Sequence, residues 1–179
     1  MLPKMVRGMH WLSVLAIFLA LGLAWLHDTF DDDAVSDWII GMHRQLGLLV
    51  LSLWVVRLMV RWYHRKQRDD VALPLMLRLA GAASHSVMYL TLLAMPLLGW
   101  AMTNAQGYPV LALNIFALPT LVAADPDLAD SLQDWHEWGA WVLIAVVSVH
   151  VLAALWHHLV RRDGVLAAML PLVRRRAPR

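Results

Sequence analysis

Nine histidines stand out in a chain of 179 residues that has no cysteine, is 60% hydrophobic and is only 16% charged. Imidazole is both a metal ligand and a proton carrier near neutral pH, so histidines in apolar surroundings point to ligation or proton transfer. The lack of cysteine excludes disulfide scaffolds, thiolate zinc sites, iron–sulfur clusters and thioether-attached haem. His136 and His150 are fourteen residues apart, which on an α-helix is a rise of about 21 Å and a rotation about 40° short of four full turns. Both therefore leave one face of one helix near opposite surfaces of a bilayer. That spacing suits two haems stacked across a membrane, each taking a second imidazole from a neighbouring helix. His10 lies at the right depth to meet His150, and His43 to meet His136. The competing reading from the residues alone is transition-metal transport through a histidine-lined bundle. A transporter needs acidic or polar groups near the midplane, and almost none are present. A single histidine near a helix end is more often an interfacial hydrogen-bonding residue; four at matched depths on three spans favour ligation.

The elements that must position these residues are membrane spans. Composition departs far from the soluble norm of roughly 45–50% apolar and about 25% charged residues, and mean hydropathy is +0.59. Uncharged stretches long enough to cross about 30 Å of hydrocarbon fall at about 9–26, 39–63, 79–102 and 138–160. The expectation is an all-α integral membrane four-helix bundle, a single domain over 1–179, with loops at 27–38, 64–78 and 103–137 and a tail at 161–179. The first span is longer than a signal-peptide core and is followed by an acidic loop rather than a cleavage site, so it reads as a retained helix. Pro109, Pro119, Pro126 and the apolar stretch Val110 to Val122 suggest that the third loop, Asn104 to Asp134, caps the membrane surface.

Charge orients the bundle. Lys4, Arg7, Arg61, Arg65, Lys66, Arg68, Arg78, Arg161, Arg162, Arg174, Arg175, Arg176 and Arg179 place 13 of the 15 Lys and Arg on one side. Arg44, at the other end of span two, and Arg57, about one turn inside the basic end, are the two exceptions. Asp28, Asp31, Asp32, Asp33, Asp37, Asp125, Asp127, Asp130, Asp134 and Glu137 put ten of the 13 acidic residues in or beside the first and third loops. The positive-inside rule then predicts cytoplasmic N and C termini and two acidic periplasmic loops. The basic clusters are explained by topology and contact with anionic membrane lipid; no nucleic acid is needed. Gly41 and Gly47 beside His43, and Gly139 after His136, either admit a flat macrocycle or simply pack helices.

The stretches MHWLSVLAIFLALGLAWL, MHRQLGLLVLSLWVVRLMVRW, ASHSVMYLTLLAMPLLGWAM and HEWGAWVLIAVVSVHVLAALWHHLVRRDGVLAAML, in this order and with these gaps, resemble the bacterial four-helix cytochrome b561 family from His10 to Leu170. The resemblance implies a bacterial inner-membrane electron carrier with two haem b groups, passing electrons to the quinone pool. It carries over His43 and His136 as ligands of an outer haem and His10 and His150 as ligands of an inner one. Small members of this type resemble superoxide oxidases that reduce ubiquinone, and the family's quinone-site histidine falls on His157. Arg44 stands where relatives often have Lys, and the second loop, RKQRDDVALP, lacks the usual prolines. His85, at cytoplasmic depth, is expected to contact quinone or a haem propionate, with ligation opposite His10 in place of His150 as its alternative. Arg78, His158, Arg162 and Asp163 are further candidates for the quinone end. Because the acidic loops would repel superoxide, Arg44, with His27, is the expected cationic patch at the outer haem edge. The alternative function is a membrane-anchor cytochrome b subunit that receives electrons from a periplasmic redox partner. Oligomeric state is not encoded legibly.

Overall fold

Apolar side chains surround each long helix, as expected where the solvent on every side is protein or lipid tail. The computed structural model describes residues 4–27, 29–30, 32–63, 75–162 and 165–170. Asp28, Asp31, Arg65, Lys66, Arg68, Asp163, the arginines from Arg174 onward and residues 64–74 of the second loop lie outside the described residues. Among the described residues four helices are long and apolar enough to cross a membrane: α1 (Lys4–His27), α2 (Asp33–Tyr63), α3 (Leu75–Ala105) and α4 (Pro126–Trp156). A short hairpin, β1 (Leu111–Ala112) and β2 (Phe116–Ala117), lies between α3 and α4, and a five-residue π-helical turn (His157–Arg161) leads to α5 (Val165–Met169).

The helices outrun the apolar windows because a helix need not stop where the hydrocarbon stops. Asp32 caps α2 through its Oδ1, which accepts from the Ala34 and Val35 N–H groups. The largest difference from the sequence expectation concerns the third loop. Asp125 caps α4 by accepting from the Leu128 N–H, with Pro126 at the first helical position. Asp127, Asp130 and Asp134 therefore lie on the first turns of α4 rather than in a loop, and the connection shortens to residues 106–125.

Packing is strongest within two helical hairpins, α1 with α2 and α3 with α4, joined through α2 and α3. Direct approach of α4 to α1 or α2 is sparse, so a slot separates the two hairpins. At Gly139 of α4 the Met95 side chain of α3 occupies the space a Cβ would take. This glycine serves helix packing, the plainer of its two expected roles. The buried hydroxyls of Ser13, Thr91 and Thr103 each donate to the carbonyl four residues earlier, which lets them reside in an apolar bundle. Trp54 Nε1 donates to the Tyr89 carbonyl, tying α2 to α3, and Trp11 Nε1 donates to the Met169 carbonyl, tying α1 to α5. Asp33, Asp37, Asp127, Asp130, Asp134 and Glu137 gather at one end of the bundle, and Arg7, Arg61, Arg78, Arg161 and Arg162 at the other. These are the acidic and basic ends below.

Candidate functional site

Across the slot, imidazoles meet in two places. Near the acidic end, His43 of α2 faces His136 of α4, ring centres 6.0 Å apart and planes at 73°. Near the basic end, His10 of α1 faces His150 of α4 at 6.3 Å and 64°. Two imidazoles bound through one nitrogen each to opposite sides of one metal ion have ring centres about 6 Å apart, since a metal–nitrogen bond is about 2 Å and the ring centre lies about 1 Å behind the nitrogen. Both pairs have that separation. Two imidazoles are too few for a bare transition-metal ion, and no group of three or more His, Asp or Glu able to hold one occurs among the described residues. A pair is the right number for the axial positions of an iron whose other four ligands belong to a macrocycle.

The surroundings of each ring differ. His43 Nδ1 lies 2.8 Å from the Ala20 carbonyl of α1, which can only accept, so Nδ1 carries the hydrogen and Nε2 keeps its lone pair. Such an outer hydrogen bond is what orients a metal-binding histidine. Among the described residues His136 Nδ1 is buried without a hydrogen-bond partner, beside the Met95 carbonyl. Its ring is seated on α3 at Gly99, where a Cβ would come within 3.3 Å of Cε1. An added Cβ at Gly47, one turn after His43, would meet nothing within 4 Å, leaving open space on the face of α2 that carries this ring; Gly41, equally open, lies on the opposite side of the helix.

At the basic end His85 of α3 joins the pair, 5.5 Å from His150 and at 76° to it. Its Nδ1 donates to the Gly81 carbonyl one turn earlier. Arg57 of α2 places Nη2 3.1 Å from His10 Nδ1. Guanidinium can only donate, so His10 Nδ1 accepts here, and offering Nε2 to a metal requires the proton to move to Nδ1 and Arg57 to turn to another acceptor.

The match to the family model for prokaryotic cytochrome b561 runs over residues 2–172. The chain belongs to the prokaryotic cytochrome b561 family. It is 30% identical over 165 residues to the probable superoxide oxidase CybB of Yersinia pestis, covering 92% of both chains. It is 29% identical over 163 residues to cytochrome b561 homolog 2 of Escherichia coli K12, covering 90% of this chain and 86% of that one. Cytochrome b561 homolog 1 of the same organism is 26% identical over 166 residues, covering 91% and 93%. This cytochrome b561 is thus a membrane electron-transfer protein of an oxidoreductase-type family whose members bind haem b.

The remaining sequence candidates fall into two groups. Arg44, half-buried and next in sequence to His43, and His27, whose Nδ1 is 3.2 Å from the Ser36 hydroxyl, both lie near enough to His43 to act on it electrostatically. His157 begins the π turn, half-buried and 5.3 Å from the Trp156 ring centre. His158, Arg162 and Arg78 are exposed, Arg162 in the left-handed region at φ +53°. Gly99 and the Ala20 carbonyl were not singled out from sequence. Gly99 carries no periodic signal, and a backbone carbonyl carries no residue-type signal at all.

Proposed function

We propose that this cytochrome holds two haem b groups in the slot, one between His43 and His136 and one between His10 and His150, and carries electrons from superoxide at the acidic end to ubiquinone at the basic end. The observation that carries the proposal is the pair of facing imidazoles at each end of one helix, α4, each at the spacing of two axial ligands. The positive-inside rule supports a cytoplasmic basic end, and the family supports a bacterial membrane, read here as the inner one. When bound, the haems supply reversible one-electron exchange. Held by His43 with His136 and by His10 with His150, the haem iron would be closed to substrates, which would exchange electrons with it only through the surrounding protein and macrocycle edge.

The chain's own residues divide the remaining work. The Ala20 carbonyl fixes the tautomer of His43, and Gly99 fixes the seat of His136. Arg44 supplies positive charge beside His43 against the surrounding carboxylates, drawing the anionic donor toward that pair. Arg57, whose partner among the described residues is a ring nitrogen rather than a carboxylate, suits a haem carboxylate once His10 turns its nitrogen to iron. At the acidic end two superoxide ions each give up one electron and become O₂, while at the basic end one ubiquinone takes two electrons and two protons and becomes ubiquinol. His157, set out from α4 by the π turn, donates a hydrogen bond to the quinone and passes a proton to it, with Arg78, His85 and Arg162 as further contacts.

One observation favours a second reading, an electron relay fed by a periplasmic protein. The cluster Asp33, Asp37, Asp127, Asp130, Asp134 and Glu137 attracts a basic partner protein as strongly as it repels superoxide. The test is a haem-to-protein ratio and a reduced-minus-oxidised spectrum of the purified chain, followed by superoxide and then a ubiquinone analogue. The proposal expects two b-type haems that superoxide reduces and quinone reoxidises. Two haems left oxidised by superoxide favour the relay; absence of haem overturns both.

A further inference from the structure

Gln45 places a primary amide in the apolar interior of α2, followed by LGLLVLSLWVV. Such a group is stable in a membrane span only when its donors and acceptor are satisfied by protein. All of them go to one element. Nε2 donates to the Leu111 carbonyl at 2.8 Å and to Asn114 Oδ1 at 3.1 Å, and Oε1 accepts from the Leu113 N–H at 2.9 Å. The element is the β1–β2 hairpin, with two residue pairs, Leu111 with Ala117 and Ala112 with Phe116. So short a hairpin does not hold itself. Its turn residues Leu113 and Asn114 have φ of +53° and +56°, a left-handed conformation that leucine resists.

The depth of these anchors along the helices is informative. Gln45 lies seven residues past Trp38, about 10 Å further from the acidic end of α2, and two past His43, hence on the opposite side of the helix. Independently, Trp100 Nε1 donates to the Pro119 carbonyl at 3.1 Å, and Trp100 lies about 7 Å below the end of α3 at Ala105. The neck of the loop is at that end. Buried Asn104 donates to the Tyr108 carbonyl and accepts from the Leu121 N–H, and the Asp125 N–H donates to the Ala105 carbonyl. The chain thus leaves and returns at one height while its middle dips along α2 and α3. From Gly107 to Ala124 it carries no Asp, Glu, Lys, Arg or His. Leu113, Ile115 and Phe116 are 73%, 73% and 63% exposed.

We propose that this hairpin is a re-entrant wedge whose tip inserts among the acyl chains of the leaflet at the acidic end, with Gln45 as its anchor. Lipid is the occupant that fits, because the tip is apolar, uncharged and set below Trp38. Gln45 supplies the hydrogen bonds that hydrocarbon cannot give to the Leu111 and Leu113 backbone. This placement is independent of haem, donor and acceptor.

The absence of cysteine makes the test direct. Leu113→Cys and Ile115→Cys, each carrying a nitroxide, are placed in the full chain in phosphatidylethanolamine–phosphatidylglycerol vesicles. Collision with O₂, which concentrates in lipid, is compared with collision with a neutral water-soluble nickel chelate. The hairpin labels are expected to match Val142→Cys, on the exposed middle of α4, with a severalfold preference for O₂ over a Ser131→Cys label at the acidic end. Labels that match Ser131→Cys, or that neither reagent reaches because protein covers them, overturn the insertion. Adding Gln45→Leu is expected to shift the Leu113→Cys label severalfold toward the nickel chelate and sharpen its spectrum; no shift overturns the anchor. Should that variant fail to accumulate, Asn114→Ala removes one of the three bonds and is expected to give a smaller shift in the same direction, and no shift there overturns the anchor equally.

Discussion

Replacing Gly99 by valine should empty the site between His43 and His136 while sparing the other. A single added Cβ at position 99 already comes within 3.3 Å of His136 Cε1 and 3.6 Å of Nδ1. The two γ-methyls of valine extend about one bond further toward a ring wedged against backbone, so His136 has to swing away from His43. Overpacking of this kind costs about 1–3 kcal/mol, which at about 1.4 kcal/mol per factor of ten weakens haem retention at that pair by about 5- to 150-fold. Two comparisons isolate the cause. Gly139→Ala brings its Cβ even closer to a neighbour, 2.5 Å from Met95 Sδ, but a thioether on a flexible chain turns aside more cheaply than an imidazole held for ligation. Gly22→Ala meets nothing within 4 Å and should match the parent or gain up to about 1 kcal/mol from the lost glycine. The assay is the haem-to-protein ratio with a redox titration of the reduced spectrum. The expected result is a ratio falling from two toward one in Gly99→Val and unchanged in the two comparisons. A Gly99→Val protein that keeps two haems at unaltered potentials would refute the reasoning.

Single replacements by alanine at His43 or His136 are expected to remove one haem, and at His10 or His150 the other, whereas His85→Ala keeps both; the spectra distinguish these cases. His157→Ala should retain both haems and slow ubiquinone reduction, measured by stopped flow against a ubiquinone analogue. For Arg44→Ala, superoxide oxidation should slow and its rate should rise with ionic strength, because the attracting charge is gone and salt screens the carboxylates that repel the donor. Asn104→Ala leaves the Tyr108 carbonyl and the Leu121 N–H without the partner each has at the neck of the loop. At about 1–3 kcal/mol per buried unsatisfied group, its thermal unfolding midpoint in detergent should fall measurably.

Much of this cytochrome is legible in one dimension. Four apolar runs dictate four helices, since a backbone in hydrocarbon must satisfy its hydrogen bonds within its own segment. The fourteen-residue interval from His136 to His150 places two imidazoles on one face of α4 without reference to any other part of the chain, because helical rise and rotation are local properties. The order and spacing of the quoted stretches likewise carried the family. Matched depths also paired His10 with His150 and His43 with His136. Only the tertiary structure decided how closely the rings approach, and that His85 lies nearer to His150 than His10 does. It also decided that Gly139 accommodates Met95 while Gly99 seats His136, that Arg57 turns to His10, and that Gln45 clasps a hairpin 66 residues away. Helix ends moved for a local reason that hydropathy does not register, the caps Asp32 and Asp125. The cross-helix contacts were hidden for a different reason. A helix that is apolar all round has no face marked for its neighbours, so its rotation and tilt are set by small residues and by a few polar side chains finding partners distant in sequence.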